Sequence, residues 1–150
     1  MSSKNVSIGS TVTLSSIKGV GAFKRVLDGG SRFVSRSVVA FVVFRDDVFC
    51  LDHTLYYGVG CSKRLSRKAV VRNRVKRLLR ESVRLIVKRT MTGSVSDSRY
   101  SGSVFFHIDS IILFSRVAPE VPSLLRLDDV IGDVDIIFYK IFGYIKKNLS

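Results

Sequence analysis

One segment of the chain, residues 63–89, combines dense positive charge with a helical repeat. Nine of the residues between Lys63 and Arg80 are lysine or arginine, and no acidic residue interrupts them before Glu81. Three more cations bring the segment to twelve of the 25 in the whole chain. Most charged runs are solvated helix faces of mixed sign, whereas one sign dominates here. The segment therefore predicts a helix that offers positive charge to a partner.

The apolar residues of this segment recur at helical spacing and predict one buried face. They are Val71, Val75, Leu78, Leu79, Leu85 and Ile86. The opposite face holds Asn73, Lys76, Arg77, Arg80 and Arg84. We expect the apolar face to pack on a core, with Ser66 as the N-cap of the helix. Like charges along one face repel each other and weaken the helix, unless bound phosphates neutralise them.

The composition fits a single compact domain with a polyanionic partner. The chain has 150 residues, is 46% hydrophobic and carries a formal net charge of +13. Such an excess of positive charge favours nucleic acid or an acidic membrane surface as the partner. The longest apolar run, Val38 to Phe44, is far shorter than the roughly 20 residues of a membrane span. The first ten residues lack the apolar core of a secretory signal, so we expect a cytoplasmic protein.

Periodicity and turn residues predict an α+β sandwich in one domain. The predicted elements are a loose N-terminal arm over 1–16, a helix over 17–27, strands over 37–44, 48–51 and 55–61, the basic helix, a polar loop over 92–103, a strand over 110–115 and a helix over 127–146. Residues 104–108 either belong to the loop or extend the strand that follows. The domain itself is expected to span residues 17–150.

No group of residues predicts a catalytic site or a metal site in the protein itself. The histidines do not align with a nucleophile or a base. A zinc site could be assembled on paper from Cys50, His53, Cys61 and His107. These residues lack the close C-x2-C pair of zinc sites, so buried or unpaired thiols are the favoured interpretation.

The stretch from Ser62 to Glu81, SKRLSRKAVVRNRVKRLLRE, resembles the protein component of bacterial ribonuclease P. That family carries an Arg-Asn-Arg motif followed by Lys-Arg and then Arg, with a Lys-Lys/Arg pair upstream. The matching residues here are Lys63, Arg64, Arg72, Asn73, Arg74, Lys76, Arg77 and Arg80. The signature is long, and it is far more specific than an isolated Arg-Asn-Arg triplet.

Other segments match the family in the same order. Phe23 and Gly30 match the aromatic residue and the glycine of its first helix, and Phe41 matches an aromatic residue on the exposed face of a strand. The apolar strand after the basic helix corresponds to residues 111–116. Leu27 stands where the family has a second aromatic residue. The resemblance extends over residues 17–146.

The resemblance implies a small basic subunit of a ribonucleoprotein enzyme. In that family the RNA subunit removes the 5′ leader of precursor tRNA by metal-dependent hydrolysis, so no protein-borne catalytic residue is expected. No cofactor is expected on the protein alone, and Mg²⁺ is expected to be held mainly by RNA. The implied fold is a sandwich with a central mixed sheet of about four strands, a basic crossover helix and flanking N- and C-terminal helices. The implied crossover is left-handed, against the usual rule.

The resemblance also implies two binding sites on the protein. One protein per RNA subunit would bind through Lys63, Arg64, Arg67, Lys68, Arg72, Asn73, Arg74, Lys76, Arg77 and Arg80. The leader would enter a cleft between the first helix and the sheet, where Phe23 and Phe41 would stack on its bases. From the residues alone, both aromatic side chains could instead be core residues, and Asn73 could be a capping or helix-surface residue.

Two alternative functions remain open on the sequence. A structural RNA-binding protein of ribosomal type would carry the same basic helix without a leader cleft. A membrane-surface protein would use the apolar segment from Ile136 to Ile145 and the lysines that follow it. Packing of that segment on the sheet is favoured, because Asp133 and Asp135 would oppose anionic lipid.

Overall fold

The structure, a computed structural model, describes residues 11–45, 52–92, 100, 102–117 and 126–148. Its elements in chain order are β1 (Thr11–Ser16), α1 (Val20–Gly29), β2 (Ser31–Val34), β3 (Val38–Phe44), β4 (Asp52–Gly60), α2 (Ala69–Met91), a 3-10 helix (Gly102–His107), β5 (Ile108–Ser115) and α3 (Leu127–Asn148). These elements confirm the predicted α+β class.

The strands form one mixed sheet in the order β1-β4-β5-β3-β2. The β1–β4 and β4–β5 pairs are parallel, and the β5–β3 and β3–β2 pairs are antiparallel. Two parallel neighbours cannot be joined by a tight turn, so the chain must cross over the sheet between β4 and β5. The helix α2 makes this connection, which confirms the predicted basic crossover helix.

The two faces of the sheet are covered differently. Along β3, Val38, Ala40 and Val42 are buried in the core that α2 and α3 share with the sheet. The alternate residues Val39 and Phe41 are half-buried on the opposite face, because successive strand side chains point to opposite sides. The short helix α1 contacts β3 and β5 on that second face. Since α1 covers only part of the face, a groove remains between it and the sheet.

The basic helix differs from its prediction in two details. Its N-cap is Lys68, and Ser66 lies in the preceding turn, where its Oγ accepts a hydrogen bond from the Lys68 amide at 3.2 Å. Leu85, predicted to be buried, is 36% exposed at the edge of the apolar face. Ser82, Val83 and Val87 are buried instead, because the face that packs on the sheet and α3 is centred further round the helix.

The part of the predicted N-terminal arm that the structure describes is a strand. Residues 11–16 form β1 and pair in parallel with β4, and Val12 and Leu14 pack against the core. The prediction of a loose arm is therefore wrong for these residues, and residues 1–10 lie outside the described chain. Val12 and Leu14 alternate with polar residues, but the many Ser and Thr residues around them made this strand pattern weak. Pairing with β4 stabilises the strand.

Two further segments differ from expectation. Residues 31–34 form β2, a strand missing from the prediction, so the sheet has five described strands and not about four. Residues 104–107 belong to a 3-10 helix, and Ile108 is the first residue of β5. The predicted strand over 48–51 and most of the predicted loop over 92–103 lie outside the described residues.

The last helix, α3, confirms the prediction and settles how its apolar segment is used. Ile137, Phe138, Ile141 and Ile145 are buried in the core against the sheet and α2. These side chains are therefore not available to a membrane surface. Within the described chain, no helix combines the length and the apolar character needed to cross a bilayer.

Candidate nucleic-acid interface

The loop between β4 and α2 is a hydrogen-bonded turn that presents basic side chains. The amides of Leu65 and Ser66 both donate to the Ser62 carbonyl, at 3.1 and 3.4 Å. The Ser62 hydroxyl accepts a further bond from the Arg64 amide at 3.0 Å. Because local hydrogen bonds fix this backbone, they also fix the Cα positions from which the basic side chains of the loop extend. Lys63, Arg64, Arg67 and Lys68 are all exposed.

Arg72 joins this loop to the helix. Its Nη1 donates to the Ser66 carbonyl at 3.0 Å, and its side chain is half-buried. Together with Lys63, Arg64 and Arg67 it lines an open cavity of about 650 Å³. Four cationic side chains around one open cavity favour the approach of phosphate oxygens, which arginine can contact in a bidentate manner.

The first three turns of α2 continue this positive surface. Asn73, Arg77 and Arg80 are exposed, and Lys76 is half-buried. The first turn contains no acidic residue, although the N-terminus of a helix carries partial positive charge and favours anions. The ion pairs of Arg84 with Glu81 and of Arg89 with Asp135 lie beyond Arg80. The cations in the first three turns of α2 therefore repel one another, and a bound anion would reduce this repulsion.

The structure thus brings the ten predicted basic-surface residues onto one loop and the first half of α2. We call residues 63, 64, 67, 68, 72, 73, 74, 76, 77 and 80 the basic surface. Asn73 is the fifth residue of α2, so it is not the N-cap of that helix. Arg72 and Arg74 are only partly exposed, and they differ in this from Arg77 and Arg80.

The two predicted leader-contacting residues meet at a third aromatic side chain. The Phe23 ring of α1 packs edge-on against the Phe114 ring of β5, with centroids 6.1 Å apart. The Phe41 ring of β3 makes the same kind of contact with Phe114 at 6.2 Å. All three rings are half-buried, so each keeps part of its surface open to solvent. We call this group the aromatic cleft.

Two glycines of β4 make room for the aromatic cleft. A Cβ atom on Gly58 would lie 2.9 Å from the Phe23 ring, and one on Gly60 would overlap the Phe114 ring. Any larger side chain would displace these rings, which explains the glycines that the sequence shows inside a strand. Phe114 was not predicted as a site residue. The glycines inside β4 were the one available signal, because a glycine within a strand indicates that another group approaches closely.

The cleft has a basic rim on its outer side. Arg32 of β2 lies directly opposite Phe41 in the antiparallel register, so both side chains project from the same face. Arg32 is exposed. A guanidinium beside a stacking platform can contact the phosphate that links two stacked nucleotides, or stack on a base itself.

Of the four residues considered as a zinc site, Cys50 lies outside the described residues, and the structure places His53, Cys61 and His107 as follows. The Nε2 atom of His53 lies 2.6 Å from the Ile108 carbonyl oxygen, so this buried ring is used in the fold. Burial raises the pKa of the Cys61 thiol, against the lowering effect of Arg72 and Lys76 nearby. Burial, with a smaller effect of Arg45, lowers the pKa of His107. No group of three potential ligands occurs among the residues that the structure describes.

The fold and this surface define a class of protein: a small α+β protein that carries a basic loop and helix surface beside a half-buried aromatic cleft. A sequence model described as Ribonuclease P matches residues 14–98, more than half of the chain. The chain belongs to the ribonuclease P protein family, and is thus the protein subunit of a ribonuclease P, an enzyme of tRNA processing.

Individual relatives and solved structures agree with this family. The chain is 28% identical over 125 residues to the Ribonuclease P protein component of Rickettsia canadensis, covering 82% of this chain and 96% of the relative. It is 28% identical over 96 residues to that of Rippkaea orientalis, covering 58% and 76%. The Staphylococcus aureus RNase P protein structure aligns with a TM-score of 0.51 and 22% identity, over 85% of this chain and 96% of that one. The last similarity supports the fold.

Proposed function

We propose that this protein binds the RNA subunit of ribonuclease P through the basic surface and the 5′ leader of precursor tRNA through the aromatic cleft. The RNA subunit carries out the hydrolysis, and one protein binds each RNA subunit in the cytoplasm. Mg²⁺ is held mainly by phosphate oxygens of the RNA and the substrate, because it prefers hard oxygen ligands and retains much of its water. We assign no catalytic residue to the protein.

One observation carries this proposal: the two sites lie at the same end of the sheet. Gly60 ends β4 under the Phe114 ring, and Lys63, the first cation of the basic surface, follows three residues later. Three residues span at most about 10 Å. A leader that leaves the cleft therefore meets the basic surface directly, and the protein can hold the leader and the catalytic RNA side by side.

The basic surface and the aromatic cleft suit different parts of an RNA: the first suits phosphates and the second suits unpaired bases. Cations of the basic surface neutralise phosphates and release counterions, a contact that carries no sequence information directly. Half-buried rings of the aromatic cleft stack on unpaired bases and tolerate any base, since every base has a π-face. A leader is single-stranded and varies in sequence, so a stacking cleft suits it.

Reconstitution with the cognate RNA subunit tests this function. Cleavage of precursor tRNA would be measured at low Mg²⁺ with and without the protein, and we expect the protein to raise the rate markedly, because its cations replace part of the ionic screening that Mg²⁺ supplies. The variant Lys146→Gln/Lys147→Gln, with charge removed from the far end of α3, serves as a control that should act like the native protein. Equal cleavage with and without the protein would contradict the proposal and favour a ribosomal-type RNA-binding protein.

A further inference from the structure

The groove between α1 and the sheet continues past the aromatic cleft into a second cavity. This cavity has a volume of about 520 Å³, within the range of small-ligand pockets. Its lining includes Lys18, Arg25, Val43, Tyr56, Asp109 and Ser110. Lys18 and Arg25 come from the α1 side, and the other four residues come from the sheet.

The strand register shows that the cavity and the aromatic cleft are two parts of one groove. Tyr56 lies two residues before Gly58 on β4, and Ser110 lies two residues before Ile112 on β5, so each shares the face of its neighbour. Tyr56 and Ser110 are themselves paired partners. From Tyr56 to Gly60 the strand rises by about 13 Å. The cavity therefore lies further from the basic surface than the aromatic cleft does.

The walls of the cavity carry a flat ring, two cations and a carboxylate, which are kinds of group that can contact a nucleotide. Tyr56 is 41% exposed and offers a flat ring, while Lys18 and Arg25 are exposed cations that can contact a phosphate. The Ser110 hydroxyl donates a hydrogen bond to Oδ2 of Asp109 at 2.9 Å. This bond orients the exposed Asp109 carboxylate and leaves Oδ1 able to accept a hydrogen bond from a ligand.

We propose that this cavity is a second leader subsite that prefers a base with an exocyclic amino group over uracil; the proposal rests on leader binding in the adjoining cleft. A carboxylate only accepts hydrogen bonds. The N4 amino group of cytosine donates one, whereas uracil presents an acceptor oxygen at the same position. The two bases have nearly the same size and stacking surface, so Tyr56 does not distinguish them. A preference for cytosine that Asp109→Asn abolishes therefore reports on Asp109.

The position of the subsite predicts which part of the leader it reads. The basic surface begins beyond Gly60, at the aromatic end of the groove. Nucleotides close to the cleavage site therefore occupy the aromatic cleft, and a nucleotide nearer the 5′ end occupies the second cavity. Shortening the leader from its 5′ end should remove the base preference before it removes the stacking contribution.

The test uses the reconstituted ribonuclease P and precursor tRNAs with an all-uridine leader, in which one cytidine is moved through successive positions. Affinity is measured under conditions that block cleavage. We expect one position at which cytidine binds about five- to tenfold more tightly than uridine, the net scale of one hydrogen bond at a site open to solvent. Asp109→Asn should reduce this ratio to below about twofold, because an amide both donates and accepts. Asp128→Asn, which removes an exposed carboxylate at the start of α3, should leave it unchanged.

A second variant probes the ring of the same cavity. Tyr56→Leu should weaken binding of cytidine and uridine alike at that position by about fivefold or more, since it removes a stacking surface. The proposal is overturned if no leader position prefers cytidine, if Asp109→Asn and Asp128→Asn give the same ratio, or if Tyr56→Leu binds like the native protein. An enzyme that favours precursor over mature tRNA but shows no cytidine preference would contradict this subsite alone. Loss of that precursor selectivity would contradict the proposed function as well.

Discussion

At the scale of single residues, Phe114 gives the aromatic cleft its form. Leu27 stands at the place where the family has a second aromatic residue on the first helix. Phe114 reaches the cleft from β5 and contacts both Phe23 and Phe41. Its ring fits only because Gly60 has no side chain. We therefore interpret Phe114 and Gly60 as a pair that restores a three-ring stacking surface.

Replacing Phe114 by leucine tests this interpretation. Leucine keeps most of the apolar volume but has no flat ring, so the affinity for precursor tRNA should fall by about 1–3 kcal/mol, the scale of base stacking. Affinity for mature tRNA should hardly change, because mature tRNA has no leader. Both affinities would be measured on the reconstituted enzyme, together with the thermal stability of each variant.

Phe33→Leu is the matched control for this experiment. Phe33 is also half-buried and packs edge-on against Phe44 and Tyr144, but on the face of the sheet that α3 covers. The Phe33→Leu variant should lower thermal stability as much as Phe114→Leu does, without changing the ratio of the affinities for precursor and mature tRNA. If the two variants behave alike, Phe114 is a packing residue only.

The sequence predicted part of this cleft and could not predict the rest. Phe23 and Phe41 were expected there through the family resemblance, but strand alternation alone did not show which face Phe41 uses. The answer depends on which face α2 and α3 cover, and that is a property of the whole sheet. Phe114 was missed because its contacts with α1 and β3 follow from the strand order, which no local pattern encodes.

At the scale of elements, the cations of the basic helix are of two kinds: some stabilise the fold, and others are exposed and can contact a ligand. Arg72 holds the β4–α2 loop through the Ser66 carbonyl, so its replacement would disturb the loop as well as any phosphate contact. Arg77 and Arg80 are exposed on the face opposite the core. Variants at these two positions therefore report on RNA binding without a change in the fold.

Arg77→Gln/Arg80→Gln should weaken binding to the RNA subunit and make it less sensitive to salt. Each lost phosphate contact should flatten the slope of log affinity against log salt concentration by about 0.7–0.9. Titrations over a range of salt concentrations would give this slope. Lys146→Gln/Lys147→Gln, with the same loss of charge at the end of α3, should keep the native slope. An unchanged slope in the Arg77/Arg80 variant would show that these residues do not meet phosphate.

A buried tyrosine links the C-terminal end of α2 to α3, and its environment predicts that stability depends on pH. The Tyr100 hydroxyl donates to Oδ1 of Asp135 at 2.5 Å, and Arg89 lies 3.6 Å from the same oxygen. Burial first, and then the bond to Asp135, raise the pKa of Tyr100 well above its usual value of about 10. Above that pH the unfolded chain loses the phenolic proton while the native protein keeps it. Stability is therefore lost as the pH rises beyond about 10.

Tyr100→Phe should remove part of this alkaline loss of stability. The variant should be less stable than the native protein near pH 8, because it lacks the hydrogen bond, and the gap should narrow by about pH 11. Urea unfolding at both pH values would measure the gap. Tyr144→Phe, at a more exposed ring, is the control for removing a phenol. If the stability difference between the native protein and Tyr100→Phe stays constant with pH, the raised pKa of Tyr100 is contradicted.

Elements with a strong local signal were predicted, and elements defined by pairing were not. The helices α2 and α3 follow from long amphipathic patterns, and β3 and β5 follow from apolar runs. The edge strands β1 and β2 are short or rich in polar residues, and their hydrogen bonds depend on neighbours that are distant in sequence. Such strands are stabilised by the sheet, so local residues carry little information about them.

At the scale of the whole molecule, the two faces of the sheet have different tasks. One face packs against α2 and α3 and forms the core, which fixes the basic surface at one end of the sheet. Among the described elements, α1 is the one that packs on the other face, and it leaves a groove that leads to the basic surface. This division separates the core of the 150-residue chain from the two surfaces that we propose to bind RNA.

The most direct test of the account is the ratio of precursor to mature tRNA affinity, measured for the RNA subunit alone and for the reconstituted enzyme. The cleft adds contacts to the leader only, so the protein should raise the ratio, and Phe23→Leu/Phe114→Leu should return it close to that of the RNA alone. A ratio that the native protein leaves unchanged, with RNA-subunit binding intact, would contradict the central claim that this protein holds the leader.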